Sequence, residues 1–440
     1  MTDTETLTAR QFQESGGTGD WRVLGAGASA WFGAPSHAAG AALVRRITEA
    51  ADTPEAREGA VPDIDLRQSG VRVDLPRHGF GAPDVALAEQ ISAAARELGL
   101  TSDPAAVQDL QLAFDVLDQA AVQPFWEAAL AYEPVGEEDI VDPLRRHPPI
   151  WFQDQDAPRP LRNRVHLDVV TPQPVAERAV RAVRDLGARS VADHDYYATV
   201  ADAEGNEADL LPLPEGADRW EGAEVEDWRL VFSAMASYPV GSAEQAAGLV
   251  EAVAALADEA GLPLGIDLRP GVVTLDSGKD AWEQDDGYRA LAGRVQAAAR
   301  GLGLTADVGA PRFVQVGIDA VDIPAVRAFW AAVLGYEPDP REGVTDLVDP
   351  RRLNTVVFFQ PMEESETERR AQRNRIHVDL FVPDDQAQAR IEAGLAAGGR
   401  LAYDGNAPFG WTLADPEGNE VDIAVAVGRE EAWRAARGEA

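Results

Sequence analysis

One pattern is written twice in this 440-residue chain, and no other feature limits its possible folds as sharply. "RNRVHLD" at 162–168 returns as "RNRIHVD" at 373–379, and "EGNEAD" at 204–209 returns as "EGNEVD" at 417–422. The echo extends to "DWRV" (20–23) and "DWRL" (227–230), to "DIDLR" (63–67) and "GIDLR" (265–269), and to "LGLT" at 98–101 and 302–305. It continues with "PFWEAALAYEP" at 124–134 and "AFWAAVLGYEP" at 328–338. Chains of this length usually divide into domains of ~100–200 residues, and an internal repeat shows where. The order of the echoes gives four segments, A–B–A′–B′, at 1–104, 105–215, 216–306 and 307–440. The joints fall in "TSDPAA", "LPLPEGADRWEGAE" and "TADVGAPR", whose Pro, Gly and acidic residues suit linkers.

Hydrophobic spacing predicts an α+β fold. In A, Leu43, Val44, Ile47 and Ala51 recur at helical spacing. Val71, Val73 and Leu75 alternate with Arg72 and Asp74 as in a half-buried strand, and Leu87, Ile91 and Leu98 return to the helical period. B opens with a strand, "LQLAFDVLD" or "VQVGIDAVD", followed by a helix carrying Phe125 and Trp126 or Phe329 and Trp330. Short strands follow, including "PIWFQ" and "TVVFFQ". The strand "RVHLDVV" or "IHVDLFV" then starts the same series again, ending in "GNEADLLPL" or "GNEVDIAVA". Each B therefore reads as βαβββ written twice.

Composition closes several routes. With no cysteine there is no disulfide, thiolate metal site, iron–sulfur cluster or cysteine nucleophile. Lys plus Arg number 39 against 75 Asp plus Glu, and a net charge of −36 repels nucleic acid and anionic lipid, so neither is expected as a partner. The acidity reads as a solvated surface, with attraction of a cationic ligand as the sharper alternative. Lys279 is the only lysine, which is ascribed to coding bias. No basic-then-apolar leader opens the chain and no stretch reaches the ~20 apolar residues of a membrane span, so a soluble, cytoplasmic protein is expected.

The "FW…LGYEP" helix, the "NRxHxD" strand and the "DPEGNE" turn of 415–420 (written "DAEGNE" at 202–207) make B similar to the glyoxalase-like, or vicinal-oxygen-chelate, superfamily. That resemblance implies paired βαβββ modules curved around a metal or ligand. A resembles the pterin-carbinolamine dehydratase family through "DWR", "PDIDLR…VRVDL" and the helix beginning "PDVALA". The family's catalytic His-His-Pro is replaced here by Ala60-Val61-Pro62 and Gly261-Leu262-Pro263, neither of which can transfer a proton. His78 lies near another family histidine position, whereas A′ has no histidine. The fold is expected to be kept and the activity lost.

The glyoxalase-like resemblance places metal ligands on the first and last strands of the modules. Carried over, these are Gln111 and Gln315, His166 and His377, and Asp209 and Asp422, with Gln153 and Gln360 at a poorly matched fourth position. Imidazole, amide oxygen and carboxylate suit a divalent Zn, Fe, Mn, Ni or Co ion, and no organic cofactor is evident. Strand alternation puts His166 with Asp168, His377 with Asp379, Glu207 with Asp209, and Glu420 with Asp422 on common faces. Glu207 and Glu420 are the expected catalytic acid–base groups. After residue 194 the sole histidine is His377, so the second half cannot build a two-histidine iron site within its own unit. A His–Asp pair satisfying itself without metal is the competing reading. Trp126, Trp330, Trp151, Phe152 and Phe359 are first of all core candidates, with Trp151 and Phe359 the pair assigned to a bound ligand. Arg164 and Arg375 are placed as clamps for an anionic substrate, against surface pairing with nearby acids.

The expected protein acts on a small molecule, as a metal-dependent lyase or isomerase. The alternatives are a metal-free drug- or metabolite-sequestering protein and a residual carbinolamine dehydratase. Association of A with A′ within one chain leaves either a monomer or a homodimer.

Overall fold

Alternating apolar and polar residues become three β-sheets in the computed structural model, which describes residues 6–53, 59, 61–76 and 79–437. One sheet has nine strands, all from the A and A′ segments, and the other two have eight strands each. In the first, Asp63–Arg67 pairs antiparallel with Gly265–Arg269 across the repeat, with Asp65 opposite Asp267. Ile64, Leu66, Ile266 and Leu268 leave this sheet on one side and join the core beneath helices such as His37–Ala51 and Ala243–Ala260. These helices start where a serine supplies the cap: Ser36 and Ser242 accept from the backbone N–H of Ala39 and Gln245. The helix expected through Leu43, Val44 and Ile47 is there, with all three buried.

The opposite face of the same sheet is charged and also buried. Asp65 accepts from Arg72 (2.9 Å) and Arg269 (2.7 Å), and Asp267 from Arg67 (2.6 Å) and Arg146 (2.7 Å). Arg145 and Arg146 come from the B segment, where Arg145 holds Asp63 at 2.5 Å. From B′, the carbonyl of Arg352 takes Arg67 Nε (2.9 Å) and its guanidinium reaches Ser277 O (3.2 Å). Buried carboxylates of this kind are tolerable only because each has a guanidinium partner, and the pairing docks the A sheet onto both B segments.

Four βαβββ modules follow, spanning 109–154, 165–211, 313–361 and 376–424. They do not combine as the chain order suggests. Val165–Val170 pairs antiparallel with Phe313–Ala320, and Ile376–Phe381 with Asp109–Val116. Each eight-stranded sheet thus takes its second-type module from one B segment and its first-type module from the other. The expectation of a cup inside each B unit is corrected to two exchanged cups.

Reciprocal polar contacts hold the exchange. Arg164, buried, donates to Asn419 Oδ1 (2.9 Å) and to the carbonyls of Arg369, Arg370 and Gln372. Arg375 does the same in the other direction, to Asn206 Oδ1 (2.9 Å) and the carbonyls of Gly205, Leu161 and Arg159. The side-chain oxygens of Asn163 and Asn374 accept from the backbone N–H of Arg375 (3.1 Å) and Arg164 (3.2 Å). Among the described residues no helix is long and apolar enough to cross a membrane.

Candidate metal centres in two exchanged cups

The concave face of each eight-stranded sheet collects the polar half of the alternation. On Val165–Val170, Val165, Leu167 and Val169 enter the core, which turns His166 and Asp168 into the cup. The parallel neighbour Glu207–Leu211 sets Asp209 beside Asp168, and the antiparallel neighbour sets Gln315 opposite Asp168. The second cup repeats this with His377 and Asp379, with Asp422 beside Asp379 and Gln111 opposite it. In both cups the histidine and two aspartates offer one ligand atom each, all within 4.8 Å of one another.

The expected ligand residues therefore meet in a different grouping. Gln315, from the second half, joins His166 and Asp209, and Gln111, from the first half, joins His377 and Asp422. Asp168 and Asp379 complete the clusters, as the two-residue spacing in "HLD" and "HVD" had allowed. His166 Nε2 lies 3.7 Å from Asp168 Oδ1, and His377 Nε2 lies 3.5 Å from Asp379 Oδ1 and 3.9 Å from Asp422 Oδ2. Gln315 Nε2 donates to Asp168 Oδ2 at 2.8 Å, and its amide oxygen is a buried acceptor without a hydrogen-bond partner. Gln111 instead donates to Asp139 Oδ1 at 3.2 Å. Gln360 Nε2 is 3.2 Å from His166 Nε2, whereas Gln153 donates to Asp115.

Burial sets the acidities. It pushes the Asp168 carboxyl up to about 6 against the lowering pull of His166 and Gln315, and pushes Asp379 up to about 7, with Asp422 adding repulsion. Asp209 is raised for the same reason. Asp168 Oδ1, Gln315 Oε1, Asp379 Oδ1 and Asp422 Oδ1 are buried and accept no hydrogen bond. Unpaired acceptors around an imidazole are costly unless a cation satisfies them, so these residues fit a divalent ion with mixed nitrogen and oxygen ligands.

The two cups are not identical. Gly317 stands opposite His166, and a methyl group there would meet the imidazole Cε1 at 2.3 Å. Ala113 holds the equivalent place opposite His377, whose Nδ1 lies 3.9 Å from Asp115 Oδ1.

Other expected site residues have partners of their own. Glu207 is paired with Arg162 (Nε at 3.0 Å, Nη2 at 2.8 Å) and Glu420 with Arg373 (2.7 Å). Arg164 and Arg375 are spent on the exchange contacts and cannot clamp a substrate. Phe359 faces the core opposite Ile318, and its neighbour Phe358 faces the cup opposite Gly317. Trp151, in register with Ala113, does lie on the cup wall of its sheet. Trp126 and Trp330 are core, as first read, and donate to Asp202 (2.9 Å) and Asp415 (3.1 Å). Those aspartates also fold the "EGN" turns, so the turn motif is structural. His78 and Ala60 fall outside the described residues. Gly261 is a left-handed helix cap. Lys279, ascribed to coding bias in the sequence, lies with its ammonium 5.7 Å from the ring centroid of Phe358.

Residues 111–211 and 315–424 both match the family of the glyoxalase-like domain. Each of these two stretches is similar to that family, and together they span just under half of the chain. Among solved structures, glyoxalase I from Zea mays is similar at 10% identity and a TM-score of 0.38, over 74% of this chain and 96% of that one. A single-residue variant of the same enzyme gives 9% identity and 0.38, over 74% and 95%. A dioxygenase candidate from Bacillus subtilis gives 10% and 0.34, over 72% and 84%. No curated protein matches.

Proposed function

We propose that this glyoxalase-like chain is a metal-dependent enzyme acting on a small oxygenated molecule, of the lyase or isomerase type. The observation that carries the reading is the set of buried, unpaired oxygens beside an imidazole in both cups: Asp168 Oδ1 and Gln315 Oε1 in one, Asp379 Oδ1 and Asp422 Oδ1 in the other. His166, Asp168 and Gln315 would hold the ion in the first cup, and His377 and Asp379 in the second. A bound divalent ion supplies Lewis acidity toward a carbonyl or enediolate oxygen.

The chain's own residues do the rest. Thr199 Oγ1 donates to Asp209 Oδ1 at 2.5 Å and orients that carboxylate, whose other oxygen is left for substrate. Asp209 is half-buried, and burial makes it more basic than an ordinary carboxylate, which suits it to take a proton from a carbon next to a carbonyl and return it. Asp422, with 37% of its side chain exposed, has the corresponding place in the second cup. Phe358 and Trp151 supply the apolar walls.

Metal content of the full chain, purified without chelator, tests the proposal. A stoichiometric first-row transition metal, lost with activity on chelation, is the expected result. Absence of metal, with ligand affinity unchanged by chelator, would overturn it in favour of metal-free sequestration. Carbinolamine dehydration is not proposed, since Val61-Pro62 and Leu262-Pro263 offer no proton-transferring side chain.

A further inference from the structure

We propose that Lys279 is a ligand-binding residue of the His166 cup and that it selects small molecules bearing a carboxylate. The inference deepens the reading of the same site given above and rests on it for the cup being a ligand site.

Lys279 belongs to neither module of that cup. It lies just after the strand Val272–Asp276 of the A′ segment, which brings it to Phe358 on the strand Val357–Pro361 of the cup's sheet. Its ammonium contacts Asp346 and lies 5.5 Å from the ring centroid of Phe232 and 5.7 Å from that of Phe358. The Phe358 ring stands edge-on to the His166 imidazole, with centroids 5.5 Å apart. The ammonium is therefore one aromatic ring away from the candidate metal ligand. An ammonium between two rings gains cation–π attraction and is partly stripped of water, which strengthens any ion pair it makes.

The backbone around it is built for this placement. Phe232 (φ 63°) and Asp280 (φ 55°) both adopt the left-handed region, which is unfavourable for a non-glycine residue. The conformation is held by Asp280 N–H to Phe232 O (2.8 Å), Trp282 Nε1 to Phe232 O (3.2 Å) and Arg341 Nη2 to Asp280 Oδ2 (3.0 Å). An ion pair on a solvent-facing loop requires none of this. Lys279 keeps 12% side-chain exposure, so a ligand carboxylate can reach one of the two ammonium protons that Asp346 leaves. Strand register matches Lys279 with Arg77 in the first repeat, which lies outside the described residues.

Pyruvate and hydroxyacetone serve as matched probes, since both carry an oxygen beside a carbonyl and only pyruvate is an anion. Their binding to the full chain is measured by calorimetry at pH 7.5, with and without chelator, for wild type, Lys279→Met and Lys279→Arg. The expected result is that Lys279→Met weakens pyruvate at one of two sites by tenfold or more and leaves hydroxyacetone within twofold, and that Lys279→Arg restores pyruvate. Equal weakening of both probes, unchanged pyruvate binding in Lys279→Met, or no pyruvate binding to wild type overturns the inference. Thermal unfolding of both variants separates a lost ligand contact from misfolding. Lysine-dependent pyruvate binding that persists in chelator would remove the metal enzyme and leave this inference standing.

Discussion

At the scale of single residues, the two cups are defined by carboxyls that pay for their burial. Asp168 near 6 lies above the ~3.9 of an unfolded aspartate, so between these values the folded state binds more protons than the unfolded one. Its contribution to the stability of metal-free protein is fully present below the lower value and is lost as pH rises through 6. The full shift is worth about 3 kcal/mol. Denaturant melts of chelated wild type and Asp168→Asn at pH 5 and pH 7.5 should show the wild type losing roughly 1–1.5 kcal/mol relative to the variant, about half of the full shift, since the other half is lost below pH 5. Metal affinity runs the opposite way, rising from pH 5 to 7.5, because only the ionised carboxylate ligates. Asp168→Asn should also remove metal from one cup of two, so that elemental analysis gives half the wild-type content. His166→Ala should do the same.

At the scale of elements, the most repetitive motifs turned out to be structural. The arginine in "NRVHLD" and "NRIHVD" and the asparagine in "EGNE" belong to one reciprocal contact set, Arg164 with Asn419 and Arg375 with Asn206. Truncating Arg164 to Ala would strand several buried carbonyls and should destabilise the chain by roughly 3–5 kcal/mol, as for other buried charged groups deprived of a partner. Denaturant unfolding reads this directly, and soluble Arg164→Ala should keep its metal stoichiometry, which a substrate clamp and a structural arginine share but a ligand residue would not. The elements themselves were legible in advance: the helix through Leu43 and Ile47, the strand through Val71 and Val73, and the faces shared by His166 with Asp168 follow from periods of 3.6 and 2. Phe359 was misassigned by one residue because "VVFFQ" is apolar on both faces, so alternation cannot say which phenylalanine points inward.

For the whole molecule, exchange means that no half of the chain contains a complete cup. Residues 216–440 made alone lack the module 165–211 that completes the sheet of Phe313–Ala320. That half should not be a folded monomer; it should dimerise, so that each copy's 376–424 module completes the other's sheet, or aggregate through the open edge. Light scattering coupled to size exclusion distinguishes these from a stable monomer, which would mean that the modules can close within one repeat. The joined A sheet also acts at this scale. Arg146 links Asp267 and Asp276 to the B segment, and it is this docking that carries Lys279 to the ring of Phe358.

The repeat, the α+β elements and the alternation that gathers imidazole and carboxylates on one strand face were all readable from the amino-acid order. These are local properties, set by spacing within a few residues. Which module pairs with which, that Gln315 rather than Gln111 faces Asp168, that Glu207 and Glu420 are paired with arginines, and that the lone lysine lies 5.7 Å from the Phe358 ring are matters of tertiary contact. The physical reason lies in the duplication itself. Two nearly identical edge strands and two nearly identical Asn-bearing turns offer each module two equivalent partners, and only long-range contacts such as Arg164 with Asn419, 255 residues apart, record which was taken.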